Sequence, residues 1–366
     1  MAFFNNDIFT SNIPVAEGLQ YDVDFGGAAN IAMEAYADQL EVVKAIHAAD
    51  MAELRCKARG VTESYEFESV MEASVGEIFT KIKDNIKAFF AKVTKFFRSF
   101  YEKFFALNKS NKSFVEKYKP IVEELNDDKD FPASFTVENT YKYMNYATAS
   151  KYATTVAENA SKALEELSNA VNKAIEGLNK NSNAENANTS KIDQLGDAID
   201  ALASSITSKI FEGLPVNSNS NDTGSSTEAL YSLYRGGADK TSVTYNYSML
   251  ISELDAIEEI DVKSMKKTEN ATTKDYNKIL KTIDSAEKTY KALDENSNKQ
   301  KAVCVSAANT LSSSVTKSKS TVLTSMSVLR TVIGEMCNRT KNATIKAIAM
   351  GRDNTKNRKA REKKSK

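Results

Sequence analysis

Residues 73–107 read ASVGEIFTKIKDNIKAFFAKVTKFFRSFYEKFFAL. Apolar side chains fall at Val75, Ile78, Phe79, Ile82, Ile86, Phe89, Phe90, Val93, Phe96, Phe97, Phe100, Phe104 and Phe105. Steps of three and four place them on one side of an α-helix. Lys81, Lys83, Lys87, Lys92 and Lys95 lie mostly on or beside the other side. The stretch is therefore a cationic amphipathic helix with a phenylalanine-rich face. Three uses of that face are open. It is the core stripe of a helical domain, a membrane-surface element over residues 75–105 with lysines toward anionic head groups, or the filling of a partner's groove. A membrane span is excluded: it needs about 20 mostly apolar residues, and lysine recurs here every few positions.

The rest of the chain is also built for helices. Its 366 residues include only 13 Gly, 4 Pro and no Trp, too few turn formers for a barrel or sandwich. That length suits about two domains or one long helical assembly. The expected fold class is all-α: an elongated bundle of coiled-coil hairpins, with an irregular N-terminus and a disordered basic C-terminal tail. Formal net charge is +0, so nothing global argues for nucleic acid. The distribution is uneven, because residues 1–72 are acid-rich and the last fifteen are basic. Cys56, Cys304 and Cys337 are widely spaced without a CxxC pair, which suits a reducing compartment or buried thiols. The opening MAFFNNDIFTSNIP lacks the basic and apolar regions of a secretory signal.

In chain order, residues 1–72 form an acidic N-terminal segment with a helix expected over 28–58. Residues 73–126 form the cationic helical region, with a loop at 108–113 (NKSNKS) and Pro120 opening a further helix. Phe131-Pro132 marks a boundary. Residues 138–212 form a coiled-coil hairpin. Tyr146, Ser150, Ala153, Ala157, Ala160, Leu164, Leu167, Val171, Ala174 and Leu178 alternate steps of four and three. After an Asn-rich interruption, Ile192, Leu195, Ile199, Leu202 and Ile206 resume the rhythm. An antiparallel hairpin and a continuous rod both fit, since the heptad phase is kept. Residues 213–247 read as a linker and a Tyr-rich loop or short hairpin. Residues 248–350 form long helices, with a break or kink near Asn296 and a stutter after Val322. Residues 351–366 are the basic tail.

Val70-Met71-Glu72-Ala73, at the junction of the acidic segment and the cationic helix, resembles the cleavage pattern of prohead proteases of T-even-type and related large tailed phages. Such enzymes cut after a Glu that has an aliphatic residue two positions earlier and a small residue after it. Val70, Glu72 and Ala73 fit, with Val in place of the more usual Leu or Ile. An acidic segment would mask a cationic helix until its removal, since opposite charges attract. Together with the helix and the tail, the junction is similar to internal or structural virion proteins of large tailed phages. The resemblance implies a product of the host cytoplasm before assembly and of the capsid interior afterwards. Its partners would be other virion proteins or copies of itself.

Arg352, Lys356, Arg358, Lys359, Arg361, Lys363, Lys364 and Lys366 stand against Asp353 and Glu362 in the tail. They suit contact with a DNA backbone by counterion release, without sequence reading. No enzyme and no cofactor is expected. His47 is the single histidine, so a Ser-His-Asp triad or zinc site lacks its residues. No phosphate-binding glycine loop is present. Two other readings compete with the virion protein: a membrane-active helical bundle like an α-helical pore-forming toxin, and a cytoplasmic coiled-coil scaffold.

Overall fold

The last helix is the one the others surround. In the computed structural model α9 spans Asn298–Lys364, 67 residues, about 100 Å at 1.5 Å per residue. Before it come α1 (Tyr65–Asp127), β1 (Phe135–Thr140), α2 (Tyr146–Asn181), α3 (Thr189–Ser204), α4 (Ile206–Ile210), α5 (Thr223–Arg235), β2 (Thr241–Tyr245), α6 (Tyr247–Glu258), α7 (Lys263–Thr273) and α8 (Tyr276–Ala292). The structure describes residues 65–127, 134–181, 189–215, 223–258, 260, 263–294 and 297–364. The helix expected over 28–58, with His47 and Cys56, lies outside them. The fold is all-α, with one two-stranded antiparallel sheet.

Helix α9 packs against α1, α2, α3, α5, α6 and α8. At residues 318–323 six successive side chains are buried, so no side of the helix faces solvent there. A central helix is usually apolar all round, yet this stretch is Ser-Lys-Ser-Thr-Val-Leu. Threonine hydroxyls solve the polarity locally. Thr321 donates to the Lys317 carbonyl at 2.9 Å, and Thr344 donates to that of Thr340 at 2.8 Å. Their methyl groups are left to pack, and small side chains let neighbours approach closely.

The direction of each neighbour follows from its contacts. Helix α1 runs parallel to α9: Asn111 meets Cys337, and Leu125 meets Gly351. Helices α6, α7 and α8 follow one another antiparallel along α1. Lys119 pairs with Asp255 at 2.6 Å, Tyr101 donates to Glu269 at 3.0 Å, and the Phe90 ring lies 4.8 Å from Tyr276. Helix α2 runs parallel to α7 and α8, through Thr154–Thr268, Ser161–Asp275 and Asn172–Thr282. Helices α3 and α4 fold back on α2. Leu195 lies against Gly177, Lys209 pairs with Glu166, and Asn159 donates to the Ile210 carbonyl. The hairpin alternative is therefore the one realised, and the continuous rod is not.

Several local expectations are corrected. The 108–113 loop is helix. Asn108 and Asn111 donate to the carbonyls of Ile260 and Ile257, at 3.1 and 3.0 Å. Those carbonyls lie at the end of α6, where intrahelical donors run out. Pro120 lies inside α1 rather than at a helix start. It is exposed, and so is Glu116, whose carbonyl loses its donor on the side open to water. The helix expected from 138 begins at Tyr146, because 135–140 is a strand paired with 241–245. Phe135 stacks on Tyr245 across that pair, at 5.6 Å. Asn139, with φ 57°, occupies the bulge between Val137 and Thr140. Within the linker and Tyr-rich loop expected over 213–247, residues from Thr223 to Arg235 form α5. In the tail, the backbone of α9 stays helical to Lys364 where disorder was expected.

Candidate functional site

The phenylalanine face of α1 points inward. Phe79, Phe89, Phe90, Phe97, Phe100 and Phe104 are buried, and Phe96 is half-buried against the same core. The core cluster includes residues from every helix and both strands. Rings pack on rings along the helix, with Phe100 stacked on Phe104 at 5.4 Å and Phe79 edge-on to Tyr290 at 6.1 Å. The face nominated for a membrane or a partner is thus covered by the chain's own α6, α8 and α9. Phe105 is the exception among the eight, 63% exposed. Among the described residues no helix is long and apolar enough to cross a membrane.

The candidate junction Val70–Ala73 lies in the first turns of α1, whose backbone is helical from Tyr65. Side chains there lie outside the described set. Among the described side chains of α1, the first buried one is Phe79, opposite Tyr290, which stands two residues before the end of α8. At the other end, Gly351 of α9 sits against Leu125 of α1. A Cβ there would stand 2.6 Å from the leucine Cδ2. Helix α1 ends two residues later, at Asp127. Helix α9 runs on for thirteen residues past Gly351, about 20 Å. That extension carries Arg352, Lys356, Arg358, Lys359, Arg361, Lys363 and Lys364; the eighth tail cation, Lys366, lies outside the described residues. The junction and the tail thus belong to opposite ends of α1 and α9.

Two buried polar clusters were not legible beforehand. In the first, Lys319 of α9 is completely buried and pairs with Asp275 at 3.0 Å. Ser161 of α2 donates to the same carboxylate oxygen at 2.7 Å. Burial holds the Lys319 pKa below the usual lysine value, against the opposing pull of Asp275. Nothing in the sequence around Lys319 marks it as buried.

The second cluster ties the sheet and α5 to α9. The Arg235 guanidinium lies over the rings of Tyr141 and Tyr231, at 4.7 and 4.5 Å, and donates through Nε to Glu335 at 3.0 Å. Arg339 lies over Tyr143 at 4.9 Å and donates to Glu253 at 2.6 Å. Glu253 also accepts from Thr340 and Tyr245, at 2.8 and 3.0 Å. Burial, and then the nearby carboxylates, push the phenols of Tyr143 and Tyr245 well above the usual tyrosine range. The available signal was Arg235-Gly-Gly among tyrosines. Gly236, with φ 70°, lets α5 end in the left-handed turn that brings Arg235 against the tyrosines. The charges of this cluster are matched to one another, which makes it a clamp between elements. Among the described residues no group of three or more His, Cys, Asp or Glu is placed to hold a metal ion.

No protein-family model, curated protein or solved structure matches the chain.

Proposed function

We propose that the chain is a non-enzymatic internal virion protein of a tailed phage, cut after Glu72 and packaged with DNA, whose backbone its C-terminal tail contacts. One observation carries this reading: the Val70–Ala73 junction divides an acid-rich segment from a cationic remainder.

Charge gives the cut a consequence. Residues 1–72 hold thirteen acidic and four basic residues, a net of −9 in a chain whose total is +0. Residues 73–366 alone therefore carry +9. Removing the segment turns a neutral polypeptide into one attracted to a polyanion. The tail backbone prolongs α9 past the end of α1, and its cations would need only phosphate. The protease must unwind the first turns of α1, whose backbone is helical from Tyr65. The membrane-active alternative would require withdrawing six buried phenylalanine rings from the core before they could meet lipid.

The test is mass spectrometry of the protein from DNA-filled particles of its natural source. An N-terminus at Ala73 is expected. An intact Met1 or Ala2 start in that material would overturn the reading.

A further inference from the structure

We propose that the solvent face of α1 is a binding track for single-stranded nucleic acid, centred on Phe105. The proposal concerns a surface separate from the tail and stands without it. The two large apolar side chains exposed among the described residues are Phe105 and Met249, at 63% and 39%. The core does not call for an outward ring, since Phe104 already fills the inward position at this level. The cations around Phe105 give the ring a use. Lys95 and Arg98 precede it, Lys109 and Lys112 follow it, and all four are exposed. At about 100° per residue, Arg98, Lys109 and Lys112 fall within about 40° of Phe105 around the helix, and Lys95 within about 80°.

Lys81, Lys87 and Lys117 are exposed along the same helix. The exposed carboxylates between Lys81 and Lys117 are Asp84, Glu102 and Glu116, and Glu123, Glu124 and Asp127 follow at the end of the helix. Lys87 pairs with Asp84 at 3.3 Å and Arg98 with Glu102 at 3.4 Å, within the helix. The positive excess is confined to the stretch around Phe105, where Lys95, Arg98, Lys109 and Lys112 face Glu102 alone among exposed carboxylates. From Lys95 to Lys112 it runs about 26 Å, room for several nucleotides of an extended strand.

A row of cations with an aromatic ring standing out of it is the combination that holds single strands. The cations follow the phosphates, and the ring stacks on a base whatever its identity. A duplex would use the cations and leave the ring idle. An anionic lipid surface fits less well, because an interfacial helix inserts a whole apolar face, and the apolar face of α1 is in the core.

The experiment uses the full chain, with fluorescence anisotropy of a labelled oligothymidylate and of a duplex of equal length. Phe105→Ala should weaken oligothymidylate binding about tenfold and leave duplex binding unchanged. The variant K95Q/R98Q/K109Q/K112Q should reduce the slope of log affinity against log salt by about 3 for the single strand. Circular dichroism should show the same melting curve for both variants, because every substituted residue is exposed. A variant with all eight tail cations changed to Gln should retain the dependence on Phe105. Three results would each overturn the proposal: no binding of oligothymidylate by the intact chain, wild-type binding by both α1 variants, or Phe105-dependent binding to phosphatidylglycerol vesicles alone. Binding lost only in the tail variant would leave the tail as the contact and remove α1 from it.

Discussion

Lys319 carries an ammonium group into a seam of Ser, Thr and Ala, where water cannot reach it. Its partner Asp275 stands at the turn between α7 and α8, and Ser161 of α2 completes the contact. Two helices and a turn are held at one point. A seam of similar small residues offers little to distinguish one heptad register from the next, and a buried polar pair is the best-attested way to fix it. Asp275→Asn should cost about 3–5 kcal/mol in urea unfolding, because it strands a buried cation. The double variant Lys319→Met with Asp275→Leu should recover that loss. Wild-type stability in Asp275→Asn would mean that the pair holds nothing. The thiols give a second test. Burial pushes Cys337 up to about 11 and Cys304 up to about 12, from an ordinary 9.0. Unfolded thiols lose their protons near the ordinary value, while folded ones keep them. Stability should therefore be full below pH about 9 and fall as pH rises through about 11. Melting temperature measured across that range should decline, and Cys337→Ala should make the decline shallower.

At the scale of the element, α1 separates two roles that its sequence left mixed. Phe97→Ala removes a fully buried ring and should cost about 3–5 kcal/mol. Phe105→Ala removes an exposed one and should change stability by less than about 0.5 kcal/mol. Equal effects would mean that the face is not partitioned as described. The 3.6-residue period was readable in α1 because large rings alternate with lysines. It was readable in α2 because Leu and Val recur among Ala. Helix α9 was harder, since its inward positions are Ser and Thr as often as Leu, and burial on all sides erases the contrast that a period needs. The strands could not be read locally, because Phe135–Thr140 pairs with Thr241–Tyr245 across the whole of α2 to α5. Nor could the interior position of 108–113, since Asn108 and Asn111 are polar residues whose acceptors lie at the end of α6 and just beyond it. The junction and the tail stand out in the sequence by charge, and the structure adds that their backbone is helical. Phe105 was grouped with the other rings, because periodicity alone does not tell which of two adjacent phenylalanines turns outward.

For the whole molecule, two helices decide how the chain responds to a cut. Helices α1 and α9 lie side by side over most of its length, and the shorter helices bridge them. Contacts of α1 run from Phe79 with Tyr290 to Leu125 with Gly351. A disturbance at either end is therefore felt by elements that also belong to the other, so unfolding should be one cooperative transition. On the proposed reading, residues 73–366 should melt in a single step at the midpoint of the full chain. The same fragment, at +9, should bind heparin or DNA at low salt and release it as salt rises, whereas the neutral full chain should bind more weakly under identical conditions. Calorimetry and salt-gradient chromatography of the two chains side by side measure both quantities. A midpoint lowered by many degrees would place residues 1–72 in the load-carrying packing of the bundle, and a cut after Glu72 could then not leave a stable product. An unchanged midpoint with unchanged retention would keep the bundle and remove charge release as the purpose of the cut.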